Sequence, residues 1–322
     1  MTAALVLFGY AALLTTVGAG LLRRARWPER APRLGVTAWQ VLSASALGAV
    51  VLGGLALVVP SAELSTDLAA LLEACTMALR TQYATPVGAA GSIAGATLAV
   101  AVIARAGYCL GRGLLTARRQ RRRQAEVLAL IGRPDQRLGA LIIDHGIAVA
   151  YCLPGRTRRV VLTSAAVASL DDDQLAAVLA HEAAHLRGRH HLVLAMAAAL
   201  TNAFPFVPGL RHAHTQIARL VEMLADDAAA RRCDRLTVAT ALVALAEGHA
   251  PTAALAAGGP TALARVRRLV SPARPLGALR TTFAATVLAA ALVFPVVAVA
   301  APALAAAALD YCPIDLRIGS FG

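Results

Sequence analysis

The chain has 322 residues, of which 58% are hydrophobic and only 15% charged, with a mean hydropathy of +0.64. An ordinary soluble domain is about 45–50% apolar and about 25% charged, so this composition points to a membrane protein, and the length suggests one modest soluble domain plus a few spans. The net charge is +13 and all 31 basic residues are arginine; in so apolar a chain the excess fits an inward-facing membrane surface better than a nucleic-acid groove.

Residues 1–22 carry no charge. At about 1.5 Å per residue they can cross a hydrocarbon core about 30 Å thick. Arg23, Arg24, Arg26, Arg30 and Arg33 follow this run and none precedes it. That predicts a first span with its N-terminus outside, not a cleaved signal peptide. A second uncharged run covers 36–60, with Trp39 near its start as an interfacial aromatic. Residues 61–85, with Glu63, Asp67 and Glu73 against Arg80, are expected to face outward. A third run, 86–104, ends at Arg105, and the stretch from Arg112 to Arg123 returns the chain to the inside. No aromatic residues interleave the arginines at 118–123, so direct nucleic-acid binding is not expected and anionic lipid heads are. All eight histidines fall between about 120 and 275, where a cytoplasmic domain is predicted. A fourth run, 281–306, leads to a tail with Asp310 and Asp315 against Arg317, expected outside. Residues 192–210 are apolar but broken by Asn202, Pro205 and Pro208, which predicts a buried or membrane-grazing helix and not a fifth span. The expected organisation is 1–115 with three spans, 116–275 as the soluble domain, and 276–322 with the fourth span.

Five cysteines show no C-x-x-C spacing, so a cysteine-rich zinc ribbon is excluded. Cys75 and Cys312 both fall in segments expected outside, where disulfides persist; they either pair or remain free thiols, and a non-reducing peptide map lacking the cross-link rejects pairing. Cys152 and Cys233 are expected to be reduced packing residues.

Within the soluble domain, 138–145, 147–153 and 159–163 read as short strands of a small sheet. A short helix follows at 164–170. Asp171, Asp172 and Asp173 then offer N-caps to a helix in which Leu175, Val178, Leu179, Glu182 and Leu186 recur at helical spacing, with Gly188 ending or bending it. Further helices are predicted at 211–231, 237–249 and 261–270.

That helix carries His181-Glu182-Ala183-Ala184-His185. Histidines four apart project from one helix face, and both imidazoles can then bind one Zn²⁺ at about 2.0–2.1 Å. Glu182 is placed to act as a general base on the attacking water. By itself HExxH also recurs on ordinary amphipathic helices. Downstream lies Glu222-Met223-Leu224-Ala225-Asp226. Glu222 is the candidate third zinc ligand, and Asp226, on the same helix face, can orient a ligand histidine through its second ring nitrogen; the alternative is a surface glutamate beside a solvated Asp226-Asp227 pair. His190, His191, His212 and His214 are read as solvated or membrane-interface residues, His249 as a capping residue, and His145 as a strand-end residue without an evident partner.

HEAAHLRGRHH, followed by EMLADDAAARR, resembles the BlaR/MecR-type membrane metallopeptidases and is similar to the wider HtpX and CAAX prenyl-protease group. The resemblance implies a mainly α fold: four transmembrane helices with a cytoplasmic α+β gluzincin-like protease domain between the third and fourth. It also implies one Zn²⁺ held by His181, His185 and Glu222, with Glu182 catalytic and Asp226 supporting. It places the protein in a bacterial inner membrane with both termini outside. The substrate would be a protein, either a cytoplasmic regulator such as a transcriptional repressor or the chain itself, and an oligomer is left open. General quality control of membrane proteins, or a silent signalling scaffold, is the alternative. The 159–163 strand would be the edge to which a substrate peptide adds. Three departures stand out. The stretch after the fourth run is short, so a penicillin-sensing domain is not expected. His190 stands where an Asp is common. Gly258-Gly259-Pro260 replaces a Thr-His-Pro before Arg265-Val266-Arg267-Arg268-Leu269, which leaves no residue assigned to the oxyanion.

Overall fold

The computed structural model describes residues 2–58, 77, 80, 83–155, 159–247, 259–271 and 275–309. In chain order it begins with three long helices, α1 (Thr2–Arg24), α2 (Pro32–Val58) and α3 (Pro86–Ile131), with a single helical turn at Trp27–Arg30 between the first two. Four strands follow, β1 (Arg133–Asp135), β2 (Ala140–Ile143), β3 (Ala150–Leu153) and β4 (Arg159–Thr163). Then come α4 (Ser164–Ser169), α5 (Asp172–Arg187), α6 (His190–Ala203), α7 (Pro208–Ala229), α8 (Arg235–Glu247), α9 (Gly259–Val270) and α10 (Ala278–Leu309). Among the described residues, four helices are long and apolar enough to cross a membrane: α1, α2, α3 and the Ala278–Ala301 part of α10. The ambiguous 192–210 stretch is not one of them. It is the 14-residue α6, ended at Phe204 ahead of Pro205 and Pro208. Cys75, Cys312, His249 and Gly258 lie outside the described residues; Cys109, Cys152 and Cys233 are free thiols.

One compact unit comprises residues of 1–18, 41–105 and 286–322. Its core joins Leu7 and Ala11 of α1 to Ala46 and Ala49 of α2. Tyr10 and Ser45 hydroxyls both donate to the Ala291 carbonyl, at 2.7 and 2.6 Å, so polar groups on three helices satisfy one another in an apolar setting. Gly54 and Gly95 let α2 and α3 touch backbone to backbone: a Cβ on Gly54 would come within 2.6 Å of the Gly95 carbonyl oxygen.

The second unit comprises residues of 19–40 and 106–285. Its sheet has the order β1-β2-β4-β3, with β2 parallel to β4 and the outer pairs antiparallel. Here β4 differs from the expectation. It is not an edge strand; it lies between β2 and β3, and the two edges are β1 and β3. The reason is its composition: Val160 to Thr163 are all buried, and a short unbroken apolar run is a strand covered on both faces. β1 went unread because Arg133-Pro134-Asp135 has no apolar pattern and joins by backbone pairing. One sheet face packs Leu141 and Val161 on Leu128 of α3. The other packs Ala140, Val160 and Leu162 on Leu175, Val178 and Leu186 of α5. The opposite side of α5, Ala177 and Ala180, meets Ala229 of α7 and Leu269 of α9, small residues that bring the helices close.

Candidate metal centre

α5 starts in a capping box. The Asp171 side chain accepts from the Gln174 backbone N–H at 2.8 Å, and the Gln174 side chain accepts from the Asp171 N–H at 3.2 Å. From this fixed start, His181 and His185 lie one turn apart facing α7, and Glu222 and Asp226, one turn apart on α7, face back. Three donor atoms converge. His181 Nε2 and His185 Nε2 are 3.2 Å apart, and each is 3.5 Å from an oxygen of Glu222. A tetrahedral ion with bonds of about 2.0–2.1 Å has donor–donor edges of about 3.3 Å. The three residues therefore fit a zinc-sized cation, and together they form a group able to hold a metal ion.

The outward-facing nitrogens of both histidines also have close neighbours. His181 Nδ1 has Asp226 Oδ1 3.1 Å away, off the line of its N–H, so no full hydrogen bond forms. His185 Nδ1 is 3.0 Å from His190 Nδ1. His190 was expected in solvent or at the interface; it is buried instead, because Gly188 lets the chain turn back under the helix end. A Cβ on Gly188 would collide with the His190 ring, and the next residue, Arg189, takes a left-handed conformation with φ 48°. His145 has a local partner, since its Nδ1 accepts from the Ile147 N–H at 3.1 Å.

Arg265 of α9 completes the arrangement, and the sequence reading assigned it no role. Its guanidinium forks onto Asp226, Nη2 to Oδ1 at 2.7 Å and Nε to Oδ2 at 2.8 Å, while Nη1 reaches Glu222 Oε2 at 3.2 Å. One turn on, Arg268 forks onto Asp227 at 2.7 and 2.8 Å. The available signal was an amphipathic helix with arginines three apart, matching the Asp226-Asp227 pair.

The electrostatics follow from burial and neighbours. Burial opposes a charge on His181, but Asp226 and Glu222 outweigh it and lift the imidazole to about 9. Burial drops His185 to about 4, against the pull of Glu222. Burial alone would raise Asp226, yet Arg265 and His181 bring it down to about 2. Glu222 is lowered too, because His181 and Arg265 outweigh its burial. Glu182 goes the other way: burial raises its carboxyl, partly offset by His181 and by the Cys152 thiol and backbone N–H beside it on β3. Burial, then Glu182, pushes the Cys152 thiol up to about 12. A carboxylate whose pKa moves toward neutrality is suited to taking and returning a proton.

Residues 114–218 match the model of peptidase family M48, a family of zinc metallopeptidases. The match runs from the C-terminal part of α3 through the first half of α7. It includes His181, Glu182 and His185 and stops four residues before Glu222. No curated protein and no solved structure matches the chain.

Proposed function

We propose that the protein is a membrane-embedded zinc endopeptidase that cuts a protein substrate at the cytoplasmic face, either a regulator of signal transduction or the chain itself. The observation that carries this is the convergence of His181, His185 and Glu222 at separations of 3.2–3.5 Å, with Glu182 on the same helix. The signalling role draws support from the likeness of the two motifs to BlaR/MecR-type enzymes, and the membrane setting from the four apolar helices.

In this reading His181, His185 and Glu222 hold the metal. Zinc bound there supplies a Lewis acid that polarises the scissile carbonyl and makes water a better nucleophile. Asp226 fixes His181 with Nε2 facing inward, and Arg265 keeps Asp226 and Glu222 ionised and in place. The substrate adds as a strand to the free edge of β3, which carries Cys152 past Glu182. Glu182 takes the proton of the attacking water and hands it to the leaving amine, and its raised pKa makes both halves of that transfer accessible.

Wild type and Glu182→Gln, expressed at equal levels in cells with candidate repressors, distinguish the roles. Fragments of the chain or its substrate are expected to vanish in the variant while its zinc content stays that of wild type. Identical fragments from both proteins reject Glu182 as the base.

A further inference from the structure

A cleft of about 760 Å³ opens where the free edge of the sheet ends. Leu153 at the end of β3, Leu186 and Arg189 at the end of α5, and Arg118, Arg121 and Arg122 of α3 line it. Arg122 is paired with Glu126 at 3.1 Å. Arg118, Arg121 and Arg189 have no carboxylate partner among the described residues. Arg189 is also the residue with φ 48°, a conformation glycine or asparagine adopts far more cheaply. An arginine is thus held at a strained turn, facing two unpaired arginines, beside the strand that approaches Glu182.

We propose that this cleft reads acidic side chains of the substrate. The inference rests on the peptidase reading above and deepens it. Cys152 lies beside Glu182, so a peptide laid along β3 has its reacting bond near that level. At about 3.3 Å per residue, the next few peptide residues pass Leu153 and enter the cleft, placing Asp or Glu about two to five positions from the scissile bond against the arginines. The cleft takes in Leu153, Leu186 and Arg189 as well as the arginines of α3, so it continues the strand edge and suits a peptide better than a lipid headgroup, which is left as an outcome of the test.

The test uses full-length Glu182→Gln protein in nanodiscs of zwitterionic lipid, at low ionic strength. Fluorescent decapeptides carrying three Glu, three Gln or three Lys at the same positions are titrated by anisotropy. The Glu peptide is expected to bind about tenfold tighter than the Gln peptide, since each of three exposed ion pairs contributes about a factor of two. Adding Arg118→Glu and Arg121→Glu should reverse the order in favour of Lys. The charge-matched Arg133→Glu/Arg232→Glu protein should keep the Glu preference. Equal binding of Glu and Gln peptides overturns the proposal, as does a preference that survives Arg118→Glu/Arg121→Glu or is lost equally in the charge-matched control. Loss of the preference when phosphatidylglycerol is added to the nanodisc also overturns it, by assigning the arginines to lipid. Because the Glu182→Gln protein cuts nothing, the preference is read independently of the peptidase reading. An enzyme that cleaves without acidic preference sinks the cleft alone, and a preference without any cleavage by wild type sinks the peptidase reading alone.

Discussion

Arg265→Met removes a guanidinium that touches two carboxylates, and the structure sets the size of the effect. Asp226 is only 1% exposed, and Arg265 supplies hydrogen bonds to both its oxygens at 2.7 and 2.8 Å. Stripping one partner from a buried pair costs about 3–5 kcal/mol, most of it the desolvation of the charge left behind. His181, 3.1 Å from the same carboxylate and readily protonated, takes up part of the loss, so the lower end applies. Glu222 loses a contact too, but its side chain is 38% exposed and water replaces it. Hydrogen exchange of α7 and α9 amides in chelator-treated protein, held in nanodiscs, reads the local opening directly. A cost of about 3 kcal/mol speeds exchange there by about two orders of magnitude while leaving α1 and α2 unchanged. Asp226→Asn alone leaves Arg265 paired with Glu222 and costs less. Since the buried charge that drives the penalty is gone, the double variant is expected to recover about 1–3 kcal/mol relative to the sum of the singles. Strict additivity of the two substitutions would refute a buried ion pair that stabilises α9 against α7.

Four further outcomes follow from the geometry. His190→Leu should weaken zinc binding by about 10–100-fold in chelator competition, while His190→Asp, which still accepts from His185 Nδ1–H, keeps most of the affinity; equal affinities for Leu and Asp variants would leave His190 without a positioning role. Asp226 titrates at about 2 in the folded protein against an ordinary 3.8, so its contribution of about 2 kcal/mol is complete above about pH 4 and is lost as pH falls toward 2; Asp226→Asn should flatten that part of an acid-unfolding curve. For metal-free protein, His181 carries the opposite sign: its raised pKa contributes stability below about 6.5 that is lost as pH rises through about 9. In the apolar unit, Gly54→Ile forces a side chain against the Gly95 carbonyl and should cost about 1–3 kcal/mol, read as a lower thermal midpoint by the loss of helical circular dichroism; an unchanged midpoint would mean that α2 and α3 do not pack through these glycines.

The fold was legible where one residue type repeats with one period. Four apolar runs announced four helices, although α3 continues to Ile131 because Leu114 onward is rich in Ala, Leu, Arg and Gln, which extend a helix as readily as the apolar residues began it. The capped start of α5 was legible as well, since Asp171 and Gln174 are neighbours in sequence. Strand order was not. Register and edge position depend on which apolar run is covered on both faces, and the unbroken RVVLT of β4 was the one clue that it belongs in the middle.

The site divides along the same line. His181, Glu182 and His185 share a single helix, so spacing alone places them, and Glu222 with Asp226 repeats that one-turn spacing on a second. Arg265 and His190 depend on long-range or looped geometry. Arg265 is 39 residues from the carboxylate it forks onto, and nothing local distinguishes it from Arg267, which points elsewhere on the same helix. His190 is only five residues from its partner, yet its burial depends on Gly188 having no side chain. A histidine beyond a helix end is ordinarily solvated; here the backbone passes close enough for the ring to cover the glycine and reach His185. Both candidate ligand histidines thus have a close neighbour at the outward nitrogen, one a carboxylate that an arginine keeps charged and one a second imidazole. That asymmetry makes the His181 side the more strongly anionic and the His185 side the more easily loosened, which is why substitutions at His190 rather than at Asp226 should tune zinc affinity without unfolding α7.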